Sequence, residues 1–205
     1  MREFPIEHEL KKETLFYPSR PEQFAGDVLE VGPGRGDFLL AAAQNLPAKK
    51  FVAIELGKRR YFRLIPRIEK RGLTNVLLIH GNARIVLPRF FSPRTFEKIY
   101  VLFPDPWPKK RHFPHRLMTV EFITLLAEKL KIGGDLFFAT DFRPYADWVV
   151  ENARQVDGLT NLGAPEFTTI DDFEYYSPTF YEQKWRGEGR EIYYMRFRKS
   201  ETAFP

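Results

Sequence analysis

LEVGPGRGDF places Glu30 ahead of three alternate glycines, Gly32, Gly34 and Gly36, between an apolar run and a segment of helical character. Glycines at such a turn let the backbone approach a ligand closely and accept unusual dihedral angles. A dinucleotide fingerprint, G-x-G-x-x-G, requires glycine at position 37, where this chain has Asp37. The pattern here is acidic-x-G-x-G-x-G. A carboxylate ahead of the loop suits a ligand carrying an ammonium group rather than a pyrophosphate, which points to S-adenosylmethionine before NAD. Glu55 closes the next apolar run, where an acidic residue can take both hydroxyls of a ribose. In HGNARIVL, Asn82 and Ala83 stand where a side-chain amide and a backbone N–H could read an adenine edge, or where a plain polar loop would serve.

The stretch VLFPDPWPKKRHFPHR raises a different chemistry. Asp105 is held between Pro104 and Pro106, so little chain freedom is left to lose when a ligand binds. Methyl transfer needs its nucleophile about 3–3.5 Å from the methyl carbon and in line with the leaving group, which favours such a stiff support. Trp107 offers either a stacking face or a buried anchor. Lys109, Lys110, Arg111 and Arg116 offer cations for a phosphate backbone. His112 and His115 have no carboxylate at metal-ligand spacing, so no metal is expected.

These residues need a scaffold, and the apolar pattern supplies one. AGDVLEVGPGRGDFLLAAAQNL reads as strand, loop and helix, and KKFVAIE (49–55) as a second strand. KRRYFRLIPRIEKRG (58–72) reads as a basic helix closed by Gly72, kinked or divided at Pro66. NVLLIH and FEKIYVLF follow as third and fourth strands, then a long helix over 115–134, a fifth strand DLFFATD, and a helix RPYADWVVENARQ. EFTTID and EIYYMRFRK read as two last strands in an antiparallel hairpin at or near the sheet edge. Strands alternating with helices predict an α/β, Rossmann-like fold: a mostly parallel seven-stranded sheet with helices on both faces. Residues 25–200 form one domain in this reading, preceded by an arm over 1–24. Glu30, Glu55, Asn82, Asp105 and Asp141 all fall at the carboxyl ends of strands, where open α/β sheets bind ligands.

Composition narrows the function classes. The chain has 205 residues, 43% hydrophobic and 29% charged, with a formal net charge of +5, as expected of a folded protein compatible with a polyanionic partner. It has no cysteine, which excludes disulfides, thiolate metal sites and covalent attack on a base through sulfur. No apolar run approaches the roughly 20 residues of a membrane span, and no signal-peptide segment opens the sequence. A cytoplasmic location is expected.

FPDPWPKKRH, with LEVGPGRG upstream, TD at 140–141 and TFYE at 179–182, resembles the bacterial tRNA (guanine-N7)-methyltransferase family over about residues 27 to 198. The DPWPKKRH block is specific to that family; the glycine loop is not. The resemblance implies a class I methyltransferase fold and transfer from S-adenosylmethionine to N7 of a guanosine in the tRNA variable loop. It implies cofactor contacts at Glu30, Glu55, Asn82 and Asp105. It implies substrate contacts at Lys109, Asp141 and the Thr179–Glu182 segment, which is Thr179, Phe180, Tyr181 and Glu182. Two departures stand out. The third-strand position, often aspartate in the family, is Asn82, and the segment after KKRH is the cation-poor FPHR.

Guanine N7 carries a free lone pair, so no proton must leave before attack. What helps is orientation and a carboxylate to favour the positive charge growing on the purine, a role that suits Asp105. Asp141 and Glu182 are candidates to accept hydrogen bonds from the guanine N1–H and N2–H₂ edge. Independently, Arg59, Arg63 and Arg67 recur at i, i+4 on the basic helix and predict one strongly cationic face for RNA. Two alternatives share the scaffold. One is an exocyclic-amine methyltransferase, whose D/N-P-P-aromatic turn D-P-W partly matches; the other is a catalytically silent RNA-binding subunit.

Overall fold

Near-continuous apolar strands alternate in which face they load, and this splits the core in two. Val52 and Ile54 point to one side of the sheet and Phe51 and Ala53 to the other, all at most 1% exposed. The structure, a computed structural model, describes residues 14–18, 26–163, 167–170 and 173–201. Its strands are β1 (Leu15–Tyr17), β2 (Val28–Val31), β3 (Phe51–Glu55), β4 (Val76–His80), β5 (Phe96–Leu102), β6 (Leu130–Thr140), β7 (Leu159–Asn161) and β8 (Tyr193–Lys199). Its helices are α1 (Asp37–Asn45), α2 (Lys58–Lys70), α3 (Ala83–Phe90), α4 (Val120–Lys129), α5 (Arg143–Arg154) and α6 (Phe180–Gly187), with a 3₁₀ turn at Lys110–His115.

The strands form one sheet in the order β1-β4-β3-β2-β5-β6-β8-β7. β2 to β6 run parallel, while β1, β8 and β7 pair antiparallel to β4, β6 and β8. Helices α3, α4 and α5 cover one face through Val86, Leu126 and Val149. Helices α1 and α2 cover the other through Phe38, Leu39, Leu64 and Ile68. Burial on both faces is what parallel strands require. The strand order reverses between β2 and β5, and the crevice above that point is where a ligand is expected.

Among the described residues the sheet has eight strands where seven were predicted, because β1 comes from the region read as a plain arm, most of which lies outside the described residues. The expected antiparallel pair is present, but its outer strand is β7. EFTTID lies partly outside the described residues; among 167–170 only Thr168 pairs, in a single bridge to Tyr194, and α6 stands between that stretch and β8. The helix expected over 115–134 stops at Lys129, since Leu130 takes extended backbone and pairs with Phe96. Gly133, at φ +76°, then turns the chain into the straight part of β6. Pro66 does not break α2, which runs unbroken through it. The proline lies on the exposed side, while Tyr61, Leu64 and Ile68 hold the helix to the sheet.

Candidate active site

At the carboxyl ends of β2 to β6 lies a cleft of about 1220 Å³. Ten of the residues singled out from the sequence line it: Glu30, Gly32, Gly34, Glu55, Asn82, Ala83, Asp105, Asp141, Thr179 and Tyr181. Alignment of the strand ends thus gathers residues from nearly the whole length of the domain.

Glu30 is the floor. Its side chain is 3% exposed, and among the described residues its Oε2 has no hydrogen-bond partner. Burial first, then the charges of Glu55 and Asp37, push its carboxyl up to about 8. A buried acceptor with no donor is costly unless a ligand supplies one. Its position beside Gly32 and Gly34 fits the ammonium end of S-adenosylmethionine. Glu55, 2% exposed, accepts three bonds and keeps acceptor capacity on Oε2: its oxygens accept from Gly34 N–H (3.0 Å), Gly57 N–H (2.6 Å) and Arg60 Nε–H (3.1 Å). It ties the glycine loop to the start of α2, with its carboxylate in the cleft wall.

Gly32, Gly34 and Gly36 all have positive φ, at 73°, 56° and 75°. Gly32 faces open space, as a cofactor-approach glycine should. Gly36 does not line the cleft. A Cβ there would lie 2.3 Å from Leu64 Cδ2, so this glycine serves the packing of α1 on α2. Asn82 caps α3, its side chain accepting from Arg84 N–H at 3.0 Å.

The proline turn carries strain on both sides of Asp105. Phe103 and Trp107, neither of them glycine, hold φ of 50° and 43°. Such backbone costs on the order of 1–3 kcal/mol per residue and persists only where surroundings enforce it. Two hydrogen bonds enforce it here. Phe103 N–H donates to Ala139 O at 2.8 Å, and Arg116 Nε–H donates to Pro106 O at 3.0 Å. Arg116 is therefore not the phosphate-binding cation its sequence position suggested. It is 1% exposed, its guanidinium centre lies 3.7 Å from the Phe113 ring centroid, and Tyr145 and Trp148 flank it at 5.0 and 5.1 Å. Burial holds it below the ordinary arginine value. Lys109 caps the 3₁₀ turn, exposed and outside the cleft lining, as are Lys110 and Arg111.

Asp141 faces the cleft but meets Arg190, whose Nη1 lies 2.5 Å from its Oδ2. The Arg190 guanidinium centre stacks 3.9 Å above Trp185. Glu182 does not face the cleft at all. It is 0% exposed and accepts from Tyr176 OH (2.5 Å), Tyr194 OH (2.6 Å) and Arg186 Nε–H (2.9 Å). A direct contact from Glu182 to a base edge would first require breaking this set. Its spacing from Thr179 carries a local signal instead. Thr179 Oγ1 accepts from Glu182 N–H at 3.2 Å, so T-x-x-E marks the start of α6. Phe180 stays exposed beneath Arg35, whose guanidinium centre is 3.9 Å from its ring centroid.

Sequence reading missed Arg60, Arg190, Trp185 and the linking role of Asp37. Asp37 Oδ2 accepts from Phe180 N–H at 3.2 Å, joining the residue after the glycine loop to α6. Among the described residues no cluster of three or more metal-ligating side chains occurs, and no helix is long and apolar enough to cross a membrane.

The chain resembles known proteins both in fold and in sequence. Solved structures of a 16S rRNA methyltransferase, KamB (TM-score 0.59, 19% identity, 87% of this chain and 89% of that one), and of the aminoglycoside resistance methyltransferase NpmB1 (0.57, 18%, 87% and 89%) share its fold. The methyltransferase family model Methyltransf_4 matches residues 25–195. A tRNA (guanine-N(7)-)-methyltransferase of Syntrophotalea carbinolica is 32% identical, over 96% of this chain and 88% of the relative. One of Nitrosomonas eutropha is 39% identical, over 82% and 75%. With this agreement across most of its length, and the glycine loop, proline turn and strand-end carboxylates gathered in one cleft, the chain belongs to the bacterial tRNA (guanine-N7)-methyltransferase family.

Proposed function

We propose that the protein transfers a methyl group from S-adenosylmethionine to N7 of a guanosine in the tRNA variable loop, acting in the cytoplasm through one catalytic domain over residues 25–200. The observation that carries this is the one cleft in which Glu30, its Oε2 without a partner among the described residues, and the strained Asp105 turn meet. Glu30, the Gly32–Gly34 backbone, Glu55, and Asn82 with Ala83 would hold the cofactor. When bound, S-adenosylmethionine supplies an electrophilic methyl group. The residues of this chain do the rest. Asp105 faces the purine and favours the positive charge it gains. Asp141 keeps an oxygen for the guanine edge while Arg190 occupies the other. Glu182 acts from behind, anchoring α6 so that Thr179 and Tyr181 stay at the cleft. Lys109 and the exposed Phe180 offer contacts to the RNA outside it. No strong base is required, because N7 carries no proton.

The direct test is nucleoside mass spectrometry of unmodified tRNA incubated with the protein and S-adenosylmethionine. Appearance of 7-methylguanosine is the expected result. An N-methylated exocyclic amine would favour the alternative acceptor, and binding of cofactor and tRNA without any product would identify a silent subunit.

Two further results are expected at the site. Glu30 is protonated in the free protein at neutral pH, because its carboxyl sits near 8. An ammonium ligand favours the carboxylate, so binding below pH 8 releases a proton and affinity rises with pH. The rise approaches tenfold per unit and levels off near pH 8, where the ligand's own amine begins to titrate. Calorimetry with S-adenosylhomocysteine between pH 6 and 8 should show this slope, and Glu30→Gln should abolish it. The same shift opposes folding of the free protein: the stability Glu30 contributes is complete below about pH 4.5 and is lost as pH rises through 8.

Arg116→Met keeps the stem between its aromatic neighbours but cannot donate to Pro106 O. It should lower turnover on the order of 10- to 100-fold through misplacement of Asp105, with the KM for tRNA little changed. Unchanged turnover in a folded Arg116→Met protein would show that the proline turn holds itself.

A further inference from the structure

Helix α2 is built against its own electrostatics. Lys58, Arg59 and Arg60 occupy its first turn, which has no acidic residue, although the positive end of a helix disfavours cations there. Arg59 and Arg63 repel each other at i, i+4, as do Arg63 and Arg67. Helix stability alone gains nothing from these choices.

The structure sorts the arginines by task. Arg60 turns into the cleft and is bound to Glu55, which together with Asp105 raises its basicity. Arg67 is engaged internally, its Nη2 3.5 Å from Asp37 Oδ1 and its Nη1 on the Arg35 carbonyl. It therefore leaves the cationic face expected from the sequence. Arg59 and Arg63 remain in solvent, and among the described residues neither makes an ion pair or a side-chain hydrogen bond. Between them Phe62 is 50% exposed, and Leu56, at the cleft rim where α2 begins, is 57% exposed. An exposed aromatic ring framed by two unengaged guanidinium groups fits neither a core nor an ordinary solvated face.

We propose that the Arg59–Phe62–Arg63 face of α2 is a second tRNA-binding surface, separate from the Lys109–Arg111 cations. The inference rests on the proposed activity toward tRNA. Arg59 and Arg63 take backbone phosphates, and Phe62 packs against an unstacked base or a ribose. The face is contiguous with the cleft through Arg60, so RNA held there extends from the reacting nucleotide.

The test is a tRNA titration at several salt concentrations, with wild type, Arg59→Gln/Arg63→Gln and Phe62→Ala. Removing one arginine–phosphate pairing should reduce the slope of log K against log salt by about 0.7–0.9. The double variant should bind about tenfold more weakly at low salt, with its slope reduced by about 1.5. Phe62→Ala should weaken binding with its slope unchanged, since stacking releases no counterions. Affinity for S-adenosylhomocysteine should be the same in all three. A wild-type protein that methylates tRNA, beside a double variant equal to it in affinity and slope, would overturn this surface and leave the activity standing. A wild-type protein that neither binds nor methylates tRNA would overturn both. Loss of binding to phosphatidylserine vesicles with tRNA affinity intact would reassign the face to a lipid surface.

Discussion

Asp105→Ala is expected to slow methyl transfer to tRNA about 100- to 1000-fold, the range seen when one well-placed electrostatic group is removed. The structure argues for the upper part of that range. Arg60 lies close enough for Asp105 to raise its basicity, so in the proposed arrangement deleting the carboxylate leaves that guanidinium less compensated as the purine becomes positive. Stabilisation disappears and repulsion takes its place. Asp105→Asn, which keeps the shape and an acceptor but not the charge, should fall between alanine and wild type. Single-turnover formation of 7-methylguanosine at saturating cofactor is the proper measurement, since it isolates the chemical step. A single-turnover rate equal to wild type in the alanine variant would remove Asp105 from the chemistry.

The largest expected effect on stability lies away from the cleft, at Asp135. This residue is 1% exposed at the centre of a cross-strand ion cluster. Arg198 Nε donates to its Oδ1 at 2.9 Å, Arg196 Nη2 to its Oδ2 at 2.8 Å, and Lys98 lies 3.7 Å away. Breaking a buried ion pair by removing one partner costs about 3–5 kcal/mol, because a charge is left without its counter-ion. Glu174 still reaches Lys98 at 2.8 Å and Arg196 at 3.6 Å, so Asp135→Ala should cost close to 3 kcal/mol. For a chain of this size that lowers Tm by about 6–12 °C. The pH dependence has a definite sign. Burial pushes the Asp135 carboxyl up, but the Arg198 and Arg196 hydrogen bonds outweigh it and leave it below the ordinary value. The stability it contributes is present above about pH 4 and is lost on further acidification. Urea titrations of wild type and Asp135→Asn should therefore converge as pH falls from 5 to 2. A gap that stayed constant over that range would contradict the ionic account.

What could be read from the sequence followed from two local signals. Apolar runs ending in polar residues located Glu30, Glu55, Asn82, Asp105 and Asp141, because a parallel sheet aligns its carboxyl ends whatever lies between them. The spacing of the glycines separated Gly32 from a dinucleotide turn, although it could not reveal that Gly36 yields to Leu64. The failures share a cause: sequence shows charge but not burial. Arg116 looked like one more cation in a basic run, and only the ring of Phe113, Tyr145 and Trp148 shows it inside. Glu182 was read as facing the substrate when a T-x-x-E helix start, visible in the sequence, would have indicated its place on α6. Arg190 reaches Asp141 across 49 residues, and no local pattern encodes that meeting. The extent of α4 was misread because Gly133–Gly134 was taken as the helix stop while Leu130 already pairs with β5.

β1 is three residues long, yet it occupies the sheet edge beside β4. An uncovered edge strand is a template for pairing with other chains. During synthesis residues 15–17 leave the ribosome well before Val76–His80, the strand they cover. The cap is therefore already waiting, tethered to the same chain, when that edge first takes shape. A nascent neighbour on the same message must compete with a segment whose local concentration it cannot match. Had the same three residues been encoded at the other end of the gene, the β4 edge would have stood open for the rest of translation. The order of the strands in the chain thus protects the protein at the moment it is most exposed to its own copies.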